Sequence, residues 1–75
     1  MLKPIKTSEL RKGQEFLVID PPASHLYRVM RRGISTIHAI NLLVPAGYAD
    51  FDEEQTVWVS IDGRPLTEVL ELVGE

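Results

Sequence analysis

The chain has 75 residues, 44% of them hydrophobic and 25% charged, a formal net charge of −3 and no cysteine. A polypeptide this short buries only about 60% of the surface its unfolded form exposes, so one core and a single domain over residues 1–75 are expected. Disulfides and thiolate metal sites are excluded, a reducing cytoplasmic setting is expected, and no signal-peptide core or membrane-spanning run is present.

The first element is a polar turn. Ser8-Glu9-Leu10-Arg11-Lys12-Gly13 predicts one short helical turn, capped by Thr7 or Ser8 and ended by Gly13, with Leu10 pointing inward. Phe16-Leu17-Val18-Ile19 predicts a strand that stops at Asp20-Pro21-Pro22, where two prolines remove backbone donors. From Leu26 to Arg32 the alternation puts Tyr27 and Val29 on one face and Arg28, Met30 and Arg32 on the other, with Gly33 ending the strand. Ser35 to Val44 then offers Ile37 and Ala39 on one side and Thr36, His38, Ile40 and Leu42 on the other, until Pro45-Ala46-Gly47 interrupts it.

The stretch from Gly47 to Gln55 reads as acidic and irregular. Thr56-Val57-Trp58-Val59-Ser60-Ile61 has the cleanest alternation in the chain, with Val57, Val59 and Ile61 facing inward and Trp58 outward between Thr56 and Ser60. After the Asp62-Gly63 turn, Leu66, Val69, Leu70 and Val73 recur at spacings of three and four, which predicts a helix beginning at Pro65. A further strand is the competing reading of the same segment, because Val69, Leu72 and Val73 also suit a sheet.

The in-facing residues of these patterns form the expected core: Leu10, Phe16, Val18, Tyr27, Val29, Ile37, Ala39, Val57, Val59 and Ile61. The fold class expected is mainly β (α+β), with three or four antiparallel strands and a short C-terminal helix. Led by the Leu10, Gly13, Phe16 turn, the segment from Leu10 to Ile61 resembles in architecture a small half-open barrel or roll of the SH3-like kind. That likeness implies no function and carries over no functional residue, since such folds host many activities.

Charge is unevenly spread. From Met1 to His38 seven basic residues face three acidic ones, a balance of +4, whereas from Ala39 to Glu75 Arg64 alone faces eight acids, a balance of −7. One expectation is cross-strand ion pairing between the halves. The sharper expectation is a segregated surface, with Arg28, Arg31 and Arg32 clustered near His25 and His38 and a separate acidic patch from Asp50 to Glu54.

Catalytic and metal-binding patterns are missing. The chain has no thiol, and its two histidines, His25 and His38, lie apart on a turn and a strand, so no nucleophilic triad is expected. Asp50-Phe51-Asp52-Glu53-Glu54 opens like a calcium loop, but Gln55 stands where the sharp-turn glycine belongs and Ile61 where the closing glutamate belongs. Scattered glycines match neither phosphate-cradling pattern.

The sequence therefore predicts a non-catalytic binding module with no cofactor and no metal. Its expected binding residues are Arg28, Met30, Arg31, Arg32, His38, Ile40 and Trp58, set against a protein partner or a second copy in a homodimer, with no membrane role. The alternative is a nucleic-acid-binding small β-barrel that grips phosphates through the basic strand at residues 28–32.

Overall fold

Alternation of apolar residues governs the architecture. Phe16 lies opposite Tyr27 in one hairpin and Val29 opposite Ala39 in the next, so every second side chain of three consecutive strands points to the same face. The computed structural model describes residues 2–21, 23–43 and 47–69. It is mainly β: one six-stranded antiparallel sheet, not closed into a barrel, followed by a short C-terminal helical turn.

The strands are β1 (Leu2–Lys6), β2 (Glu15–Asp20), β3 (Ala23–Arg32), β4 (Ile37–Asn41), β5 (Gly47–Phe51) and β6 (Thr56–Ser60), and the helical turn is α1 (Leu66–Val69). Their order across the sheet is β1-β6-β2-β3-β4-β5, which leaves β1 and β5 as edges. The sheet is strongly curled. Phe16 on β2 and Phe51 on β5 stand three strands apart, about 14 Å in a flat sheet, yet their ring centroids are 5.4 Å apart.

Leu10, Phe16, Val29, Ile37, Ala39, Phe51, Val57 and Val59 fill the concave face, and Ile5, Val18, Tyr27 and Ala49 pack around them. Most of the core expected from sequence is therefore in place. Val18 and Tyr27 are only half-buried, and Ile61, at 59% exposure, is not a core residue. The reason is local: β6 ends at Ser60 and the chain turns through Asp62, whose carboxylate accepts from the Ser60 hydroxyl and the Arg64 N–H, before Gly63 adopts φ 80°.

The helical turn near the N-terminus also shifts. It covers Thr7–Glu9 and ends before Leu10, which is extended and fully buried. Thr7 is not its cap; its buried hydroxyl donates to the Asp52 carbonyl, and its N–H donates to the Gln55 carbonyl at 2.9 Å. Gly13, at φ 86°, then redirects the chain into β2 while its N–H donates to the Val29 carbonyl at 2.9 Å.

Two strands were not expected. β1 contains Pro4, which a sheet tolerates on an edge, and β5 lies in the stretch read as acidic and irregular. The convex face carries a second apolar layer: Leu26 pairs with Leu17 and Leu17 with Trp58, and α1 packs on β2 and β6 with Leu66 fully buried. Leu26, absent from the expected core, is fully buried there. The helix expected from Pro65 begins at Leu66; Leu70 and Val73, assigned to its face, lie outside the described residues, as do Val44, Pro45 and Ala46 after β4.

Candidate functional site

A β-bulge decides where the arginines go. Val29 pairs with Ala39 and Arg31 with His38, so Met30 is the extra residue on β3 and the alternation inverts after it. Arg28 stays on the convex face, Arg31 joins it there opposite His38, and Arg32 rotates to the concave side opposite the core residue Ile37. The expectation that Arg28, Met30 and Arg32 share a face is thus overturned by one inserted residue.

Two of the three arginines are held within the fold. The Arg28 Nη2 donates to Glu15 Oε2 at 3.0 Å, and the same carboxylate accepts from the Thr67 N–H at 2.9 Å and from the Thr67 hydroxyl at 3.1 Å. Burial pushes the Glu15 carboxyl up, but the Thr67 N–H, the Arg28 guanidinium and the Thr67 hydroxyl together hold it below the usual glutamate range. Glu15 therefore fastens the first turn of α1 to the sheet. Arg32 donates to the Leu10 carbonyl at 3.3 Å and to Glu53 at 3.0 Å.

That second pair corrects the segregated-surface expectation. Arg32 meets the acidic loop directly, so basic and acidic halves neutralise each other there, as the expectation of ion pairing between the halves held. His25 is not in a turn but on β3, and it faces the concave side near Tyr27, with ring centroids 6.4 Å apart. It does not join the arginines.

What remains is a row across the convex face of β3, β4 and β5. Arg31 lies opposite His38 and His38 opposite Asp50, with His38 Nδ1 2.6 Å from Asp50 Oδ1. Arg31 has no ion pair among the described residues. Met30, Arg31, His38, Ala39, Tyr48 and Asp50 enclose an open depression of about 420 Å³. Met30 is 45% exposed at its side and Tyr48 71%, so both offer apolar surface beside the unpaired guanidinium.

Ile40 sits between Arg28 and Tyr48 in the neighbouring row and is half-buried. Trp58 lies elsewhere. It stands on β6, two strands from β3, half-buried in the row of Leu17 and Pro4. Of the expected binding residues, Met30, Arg31 and His38 come together, Ile40 flanks them, and Arg28, Arg32 and Trp58 do not belong to the depression. Tyr48 and Asp50 were missed as site residues; the alternation of Tyr48 and Asp50 with Ala49 and Phe51 was the available signal.

Among the described residues no group of three or more His, Asp or Glu side chains could hold a metal ion, and no helix is long and apolar enough to cross a membrane. Comparison with protein-family models, curated proteins and solved structures gave no match to the chain.

Proposed function

We propose that the chain is a non-catalytic binding module that engages a protein partner through the convex face of β3, β4 and β5. The observation that carries this reading is the unpaired Arg31 set between exposed Met30 and Tyr48 around an open depression. Arginine, methionine and aromatic side chains are the types enriched at interface centres, where a few of them supply most of the affinity. The His38–Asp50 pair at the rim adds polar groups that fix orientation. On the same reading the curled sheet is an SH3-like roll left open between β1 and β5, and the cysteine-free composition suits a cytoplasmic protein.

Nucleic-acid binding through residues 28–32 has less support. Arg28 and Arg32 are occupied by Glu15 and Glu53, which leaves Arg31 as the one arginine of the three free to meet a phosphate.

Affinity capture from the native host's lysate, with and without nuclease, separates the two. Arg31→Glu and Tyr48→Ala should each reduce capture of a protein partner by about tenfold or more, corresponding to about 1.4 kcal/mol. Nuclease should not matter. A capture that disappears on nuclease treatment and weakens by about 10³-fold between roughly 50 and 200 mM salt would replace this reading with phosphate binding.

A further inference from the structure

The two edges of the sheet differ in kind. β1 carries Pro4, which has no N–H to offer, together with Lys3 and Lys6, and both features discourage a further strand from pairing there. β5 has neither proline nor lysine between Gly47 and Phe51, and its backbone makes no hydrogen bond beyond the β4 ladder among the described residues.

We propose that β5 pairs antiparallel with β5 of a second copy of this chain, about a two-fold axis at Ala49. This rests on the protein-binding reading and names the partner. The argument is self-complementarity. A two-fold through Ala49 sets Asp50 of each copy opposite Tyr48 of the other, and Phe51 opposite Gly47, so no two carboxylates meet directly. The Tyr48 phenol can donate to the facing carboxylate, and each Asp50 already has His38 of its own chain beside it at 2.6 Å. On the concave side the small Ala49 meets itself and Phe51 meets a glycine, which leaves room for the ring. The joined sheets continue the row Arg31, His38, Asp50 into Tyr48, Ile40 and Arg28 of the second copy. Five residues on each side make a small contact, so the association is weak and concentration-dependent.

Sedimentation velocity on the full chain over a range of concentrations, with single-cysteine variants, tests this, because the natural chain has no thiol to interfere. The expected result is a monomer that becomes a dimer as concentration rises. Tyr48→Lys should stay monomeric while keeping the natural circular dichroism and thermal midpoint, since Tyr48 is 71% exposed. Ala49→Cys should form a disulfide-linked dimer on mild oxidation, because opposed Cα atoms stand about 4.5–5.5 Å apart in such a ladder, within disulfide reach, whereas Lys3→Cys on the other edge should not. A chain monomeric at every soluble concentration overturns the proposal, as does a dimer that survives Tyr48→Lys or cross-links through Lys3→Cys. If the chain is monomeric and Arg31→Glu still reduces capture of a different protein by about tenfold or more, the self-pairing falls and the protein-binding reading stands. Loss of both results brings both down.

Discussion

Replacing Phe16 with alanine should remove about 3–5 kcal/mol, a large share of the stability available to a chain of this length. The Phe16 ring is fully buried, stacks on Tyr27 with centroids 5.6 Å apart and meets Phe51 edge-on at 5.4 Å. Tyr27 and Phe51 in turn contact each other at 5.0 Å, so the three rings close one cluster that joins strands from both sides of the curl. Truncating such a residue costs about 3–5 kcal/mol, through lost transfer energy and the cavity left behind. A domain of this length has only about 4–11 kcal/mol in total. Urea unfolding followed by the fluorescence of Trp58, the one tryptophan, should show a midpoint lowered by about 1 M or more. Ile34→Ala, at a fully exposed position, should change stability by less than about 0.5 kcal/mol. A Phe16→Ala variant within about 1 kcal/mol of the natural chain would place Phe16 outside the core.

Glu15 should account for part of the protein's loss of stability in acid. Its carboxylate is fastened by Thr67 and Arg28 strongly enough to outweigh the cost of burial, so it titrates below its unfolded value. A folded-state value below the unfolded one means that the stabilisation is fully present above the unfolded value and is lost as pH falls through the folded one. Neutral pH therefore holds the full contribution, and the decline sets in as pH falls through the usual glutamate range and is complete below the folded-state value. Glu15→Gln should lower stability at pH 7 by about 1.5–3 kcal/mol, the range for hydrogen bonds to a charged group. The lower half applies to the part contributed by Arg28, whose side chain is 45% exposed and screened by water. The same variant should flatten the difference between neutral and acidic pH. An unchanged acid limb in Glu15→Gln would assign the acid sensitivity to other carboxylates.

Much of the sheet was legible because its apolar residues alternate. Val57 and Val59, Phe16 and Val18, Ile37 and Ala39 each announce a strand and its inward face. β1 was hidden by Pro4 and two lysines, residue types that argue against a strand unless it is known to be an edge, and edges are a property of topology. β5 was hidden by Gly47 and Asp50, whose low strand propensity is overridden by pairing with β4 and by burial of Phe51. Leu26 looked outward because α1, which makes a second layer on that side, cannot be placed from spacing alone.

The candidate site was half legible for a related reason. Residue type singled out Met30, Arg31 and His38, but a bulge leaves no signature at Val29-Met30-Arg31, and that one extra residue separates Arg32 from Arg31. The Arg32–Glu53 pair is of the kind that the charge balance between the halves left open, whereas Glu15, in the same basic half as Arg28, gave no sign that it would claim it.

The claim that the convex face of β3, β4 and β5 is the binding surface is tested most directly by amide chemical-shift mapping of the ¹⁵N-labelled chain. The titrant is the captured protein partner, or the chain itself by dilution. The expected result is a set of shifts concentrated at Met30, Arg31, His38, Tyr48 and Asp50, with β1 and the Asp62–Arg64 turn unmoved. Shifts confined to β1, to that turn or to the Trp58 row, with the depression unchanged, would contradict it.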